Sequence, residues 1–142
     1  MSFETTDMGP KPWVVDIEDL TTSNDKFRVA KWTGTYFQMT VMSIKPGEEV
    51  GLEVHHDIDQ FLRIEQGKAK IVMGDAKDNL SMEETAEDDW AIFVPAGTWH
   101  NIINDGDEDL KLYSIYAKPE HEHGTVHETY EEAMEAEHDH DH

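Results

Sequence analysis

Apolar and polar residues alternate with a period of two along most of the chain, in short runs broken by turn residues. Lys26 to Trp32 sets Phe27 and Val29 against Lys26 and Arg28, the pattern of a strand with one covered face. Thr33-Gly34 interrupts it, and Thr35 to Ile44 (TYFQMTVMSI) resumes as a long run rich in aromatic and β-branched residues, which suit a pleated surface. From Ile58 to Glu65 the side chains of Gln60, Leu62 and Ile64 share one face, and those of Phe61, Arg63 and Glu65 the other. If Gln60 points inward, Arg63 points outward. Gly67 then stands where a hairpin needs positive φ, and Lys68 to Met73 returns as the next strand.

Further strands are expected at Trp13 to Ile17, at Leu80 to Thr85 as an edge, and at Trp90 to Val94 as a compact buried run. His100 to Ile103 and Leu110 to Ala117 flank the turn Asn104-Asp105-Gly106-Asp107. About ten short strands at this spacing predict an all-β antiparallel sandwich or barrel. Residues 1–12, with Gly9, Pro10 and Pro12, read as an irregular leader, and 13–118 as the β domain. Residues 119–142 form a separate C-terminal segment: Thr129-Tyr130-Glu131-Glu132 fits a capping box for a short helix from Thr129 to Glu137, and His138 to His142 is an acidic, frayed tail.

Composition narrows the chemistry. The chain has 142 residues, enough for one domain with a real core. It holds no cysteine, so any metal must be held by oxygen and imidazole nitrogen. With 32 acidic against 11 basic residues the formal charge is -21, which disfavours nucleic acid and anionic membranes as partners. No apolar run reaches the length of a membrane span, and the opening MSFETTDMGPKPW lacks a secretion signal. A cytoplasmic protein is expected.

The stretch from Gly47 to Gly67 concentrates metal-donating groups. Read as strand, turn and strand, it puts Glu53 and His55 on one face, and Gln60 opens the returning strand. His100, after the turn Pro95-Ala96-Gly97, supplies a fourth donor. His56 is an alternative to His55, although alternation turns it the other way. Gln60 could instead hydrogen-bond a metal-bound water or another ligand. Trp90 and Trp99 read as core or rim packing.

These two segments resemble the two motifs of the cupin superfamily, G-x5-H-x-H-x4-E-x6-G and G-x5-P-x-G-x2-H-x3-N. Gly47, Glu53, His55, Gln60 and Gly67 keep every interval of the first, and Asp89, Pro95, Gly97, His100 and Asn104 every interval of the second. Glutamate replaces the first histidine, glutamine the glutamate, and aspartate the leading glycine. The exchange keeps one negative charge among the four donors. The resemblance implies an antiparallel jelly-roll β-barrel, usually a homodimer, with one divalent metal (Mn, Fe, Ni, Co or Zn) held by Glu53, His55, Gln60 and His100. The ending YAKPEHEHGTVHETYEEA also looks like a group of small single-domain cupins labelled mannose-6-phosphate isomerase-like.

Such a site suits an isomerase, lyase or dioxygenase acting on a small polar, oxygen-rich substrate. A non-catalytic binding or sensing cupin and a structural protein with a vestigial site are the alternatives. No general base stands out. A phosphate would want an inward cation, yet Arg63 and Lys70 fall on the outward phase and Lys45 in a turn, which disfavours phosphosugar isomerisation.

Overall fold

In the computed structural model residues 3–140 are described, with side chains through residue 136. The reading of His138 to His142 as a frayed tail therefore lies outside the described side chains. Nine strands and two helices follow in chain order: α1 (Ile17–Ser23), β1 (Arg28–Thr33), β2 (Gln38–Ile44), β3 (Asp59–Gln66), β4 (Lys68–Gly74), β5 (Met82–Glu87), β6 (Ala91–Val94), β7 (Trp99–Ile103), β8 (Leu110–Ala117), β9 (Val126–His127) and α2 (Tyr130–His140). A six-stranded sheet runs β6-β3-β8-β2-β1-β9 and a three-stranded sheet β5-β4-β7. Every pairing is antiparallel.

The expected closed barrel is not formed. Among the described residues no strand of one sheet pairs with a strand of the other; the segment after β2 follows β7 through scattered backbone bonds and two isolated bridges, Glu49 to Ile103 and Glu53 to His100. The cause lies in the segment after β2, where Gly47 (φ 84) and Gly51 (φ 107) take backbone conformations that no strand uses. That segment follows β7 without becoming a strand, so Glu53 and His55 sit on irregular chain instead of the expected strand. The result is an open jelly roll of two facing sheets.

The expected strand at Trp13 to Ile17 is also replaced. Asp16 caps α1, its carboxylate accepting from the Asp19 N–H at 3.1 Å, and Glu18 and Asp19 fill the positive end of the helix. Val14 is 97% exposed, and the run meets the sheet through Trp13 and Ile17 side chains instead of through strand pairing. At the other end the helix cap is close to expectation, with Thr129 Oγ1 accepting from the Glu132 N–H at 3.1 Å.

Register explains where a polar site can exist inside an apolar sandwich. Along β3, β8 and β2 the inward residues align in rows: Gln60 beside Tyr116 beside Gln38, then Leu62, Ser114 and Thr40, then Ile64, Leu112 and Met42. The third row and the neighbouring Ile44 and Leu110 belong to the main core with Ile71, Ile92 and Ile102, all 5% exposed or less. The interior is therefore polar at one end and apolar at the other. A second cluster (Val29, Met39, Val41 and Tyr113) lies on the opposite face, covered by Trp13, Ile17 and Leu20 of the N-terminal region.

Two alternation readings change here. Phe27 packs in the main core while Val29 packs in the second cluster, because Phe27 precedes β1 and does not share its phase. Arg28, read as the polar face, is 1% exposed: both faces of β1 are covered. The run Trp90 to Val94 is a half-exposed edge, with Ile92 and Val94 buried but Phe93 70% and Trp90 49% exposed. Arg63 does point outward, pairing with Asp89 at 3.0 Å and Glu65 at 2.8 Å.

Candidate metal centre

Glu53, His55 and His100 come together at the polar end of the interior, each offering one ligand atom, all within 4.8 Å of one another. Two chain reversals assemble them. The Glu53–His100 bridge is a reciprocal pair of backbone bonds, Glu53 N to His100 O at 3.0 Å and His100 N to Glu53 O at 2.9 Å. The Gly97 N–H donates to the His55 carbonyl at 2.7 Å, and Gly97 (φ 84) makes the turn into β7 that brings it there. Backbone pairing thus positions all three residues.

Each imidazole is held through one nitrogen, leaving the other aimed at the carboxylate. His100 Nδ1 lies 3.0 Å from the Thr98 carbonyl, and a carbonyl can only accept, so Nδ1 carries the hydrogen. In the neutral ring His100 Nε2 is then a bare lone pair; it is buried without a hydrogen-bond partner and sits 3.5 Å from Glu53 Oε1. His55 Nδ1 faces Glu120 Oε2 at 3.6 Å, and its Nε2 lies 3.3 Å from the same Glu53 Oε1. A carboxylate behind a histidine is the arrangement that orients metal-binding imidazoles. An imidazole lone pair and a carboxylate oxygen pointed at a common place repel one another unless a proton or a metal cation lies between them. The residues present fit a divalent metal.

The electrostatics agree. Burial raises the Glu53 carboxyl, but its contacts with His100 and His55 and the charge of His55 and Arg28 outweigh it. The carboxyl is held well below the usual carboxylate range, so it is ionised at neutral pH. Gln60 is 4% exposed at the start of β3; its amide donates to Ser114 Oγ at 2.8 Å, and its carbonyl oxygen is buried with no hydrogen-bond partner. His56 is exposed and stands outside the cluster. Trp99 is partly buried.

Sequence reasoning missed the other half of the site. A cavity of about 250 Å³ opens beside Glu53, lined also by Glu120, His121, Glu122, Thr125, His127 and Ala136. Its far wall is the C-terminal strap that was read as separate from the β domain; β9 pairs there with β1, Arg28 opposite His127. Burial and the charge of Arg28 push the His121 ring down to about 3, and lower His127 for the same two reasons. Burial pushes the Tyr116 phenol up to about 12. These three are neutral at physiological pH. The signal that could have found the strap was three histidines, His121, His123 and His127, at a spacing that neither a solvated tail nor a helix face requires.

Two antiparallel sheets holding a histidine and carboxylate cluster at one end of their interior define a cupin. The chain belongs to that family: the cupin domain matches residues 40–116. It is 57% identical over 131 residues to the uncharacterized protein YrkC of Bacillus subtilis (strain 168), covering 92% of this chain and 70% of that protein. The crystal structure of BH2720 from Bacillus halodurans matches with a TM-score of 0.91 and 57% identity, covering 92% of this chain and 98% of that one. A sugar phosphate isomerase of the cupin superfamily from Silicibacter pomeroyi matches at 19% identity with a TM-score of 0.52, over 61% of this chain and 53% of that one. That is a likeness of fold alone. Among the described residues no helix is long and apolar enough to cross a membrane.

Proposed function

We propose that Glu53, His55 and His100, with Gln60 as the fourth donor through its carbonyl oxygen, hold one divalent metal, and that the protein uses it on a small polar, oxygen-rich molecule. The observation that carries this is the His100 Nε2 atom: buried, without a partner, and aimed at Glu53 Oε1 at 3.5 Å. Such an atom costs stability unless something satisfies it. Two imidazoles, a carboxylate and an amide oxygen suit Mn, Fe, Ni, Co or Zn. Bound there, the metal would act as a Lewis acid towards an oxygen of the ligand.

The chain supplies the rest. Glu120 faces His55 from behind, Tyr116 presents a protonated phenol within the same interior, and the strap from Glu120 to His127 lines the cavity beside Glu53. Reactions of the isomerase, lyase or dioxygenase kind are open to this arrangement. The second reading, a binding or sensing cupin without turnover, is favoured by the shortage of a general base: the carboxylates nearest the cluster are Glu53, a ligand, and Glu120, engaged with His55. We further propose a cytoplasmic homodimer with no nucleic-acid or membrane partner.

Elemental analysis and calorimetric titration with Mn, Fe, Ni, Co and Zn test the site, using protein in which His138, His140 and His142 are replaced by alanine. One equivalent bound, and none in Glu53→Ala, supports it; no metal in either protein refutes it. The metal forms would then be screened for oxygen uptake and for turnover of hydroxy acids, diketones and sugars. Stabilisation by a ligand without turnover selects the second reading.

A further inference from the structure

Which arm of the Gln60 amide turns to the cluster decides whether Gln60 can be a ligand at all. A carboxylate presents two acceptor oxygens, so either can meet a cation. An amide has one acceptor arm and one donor arm, and only the first suits a metal. Gln60 is 4% exposed, so water does not settle the choice. A neighbouring side chain does.

That neighbour is Ser114, which is 0% exposed. In the β3–β8 ladder Gln60 stands opposite Tyr116 and Leu62 opposite Ser114, so Ser114 lies one step along the inward face from Gln60. Gln60 Nε2 donates to Ser114 Oγ at 2.8 Å. The Ser114 hydroxyl also has one hydrogen to give. Thr40, its partner across the β2–β8 ladder, does not take it, since Thr40 Oγ1 is buried with no hydrogen-bond partner. Tyr116 does. Burial pushes that phenol up to about 12, and the Ser114 hydroxyl works the other way, as a donor to the phenol oxygen does.

The donors therefore run in one direction, from the Gln60 amide to Ser114 and from Ser114 to Tyr116. Reversing the Gln60 amide would set its carbonyl oxygen against an oxygen whose hydrogen is already engaged. As it stands, the carbonyl oxygen occupies the other arm, buried with no hydrogen-bond partner.

We propose that Ser114 is a positioning residue for the metal site: by accepting from the Gln60 amide nitrogen, it keeps the Gln60 carbonyl oxygen for the cation. The assignment rests on the metal reading above, with Gln60 as a donor. It belongs to the exchange of glutamate for glutamine at residue 60, because a glutamate there would offer an oxygen in either orientation and would not need Ser114.

Calorimetric Zn titration of the full chain tests it, with His138, His140 and His142 replaced by alanine throughout. The proteins compared are this parent, Ser114→Ala, Ser114→Thr, Gln60→Glu and Gln60→Glu combined with Ser114→Ala. Ser114→Ala should bind Zn about tenfold more weakly than the parent, and Ser114→Thr, which keeps the hydroxyl, should recover the loss. Beside Gln60→Glu, the same Ser114→Ala step should change the affinity by less than about twofold. In NMR, the Gln60 side-chain carbonyl carbon, identified by its absence in Gln60→Glu, should shift when Zn is added to the parent. If Ser114→Ala fails to fold, Ser114→Cys, whose sulfur accepts only weakly, takes its place with the same expectation. Unchanged affinity in Ser114→Ala, an equal loss in both backgrounds, or an unmoved carbonyl signal in Zn-loaded parent would each overturn the assignment while leaving the metal reading intact. A parent that binds no Zn would sink both.

Discussion

His100→Ala separates a metal site from a merely polar interior. His100 is 1% exposed, so truncating its ring leaves a cavity and removes the Nδ1 bond to Thr98. Losing a buried side chain of this size costs about 2–4 kcal/mol, which lowers the melting temperature in EDTA whatever the function. The informative quantity is therefore the increment on adding metal. At a free Mn concentration 100 times the wild-type Kd, binding to the folded state adds about 2.7 kcal/mol. At roughly 3 °C per kcal/mol for a chain of this length, that is about 8 °C. Removing one of two imidazole ligands should weaken binding by about a hundredfold, as even losing a residue that orients a ligand costs tenfold to a hundredfold. The same Mn concentration then adds only about 0.4 kcal/mol, or about 1 °C. Differential scanning calorimetry, with His138, His140 and His142 replaced by alanine in both proteins, reads both increments. Equal increments in wild type and His100→Ala would show that the metal binds elsewhere and that the orphaned Nε2 is only a packing defect.

Three further outcomes follow from the same geometry. His121 is kept neutral by burial, its pKa about 3 against an ordinary 6.5; below pH 6.5 the unfolded ring takes a proton that the folded ring refuses, so its contribution is present above that pH and declines as pH falls towards 3. Urea midpoints between pH 7.5 and 4.5 should therefore fall less steeply for His121→Phe than for wild type. Gln60→Glu should retain or strengthen metal binding and Gln60→Leu weaken it by about tenfold in titration; equal affinities would exclude the amide oxygen as a donor. Leu112→Ala, at a position 0% exposed in the apolar third row, should lose about 2–5 kcal/mol in urea unfolding while leaving metal affinity unchanged.

Much of this molecule was legible in its residues, and what escaped did so for physical reasons. Period-two alternation located β3, β4 and β6 to within a few residues because each buries one face, while β2, covered on both faces, was legible from its aromatic and β-branched content and β8 from the turn before it. It failed at β1, where Val29 is covered by the N-terminal region and Arg28 is buried beside His127 of the strap. Strand parity cannot register a cation turned into the interior. It failed at residues 13–17 because Val14 and Val15 resemble a strand while Asp16, Glu18 and Asp19 encode a helix start; the polar signal prevailed. Motif spacing brought Glu53, His55 and His100 to attention because backbone pairing at Glu53–His100 and Gly97–His55 requires those intervals. Closure of the sheets was not legible, since it depends on the positive φ of Gly47 and Gly51. Nor was the strap: among the described residues its strand pairing is the two residues of β9, too short to leave a periodicity.

The strap is moored to residues far from the metal cluster. Asp7, 7% exposed, accepts at one carboxylate oxygen from the Gly124 N–H at 3.0 Å and from Thr33 Oγ1 at 2.5 Å, while His123 Nε2 lies 2.8 Å from the Gly9 carbonyl. The wall of the binding chamber is therefore anchored to the leader, so anything that tugs on residues 4–10 (a fused tag, a proteolytic nick, a docking protein) would change how quickly a ligand escapes without touching a single group that holds it. Exchange kinetics, more than affinity for the cation, is where such remote disturbance would surface.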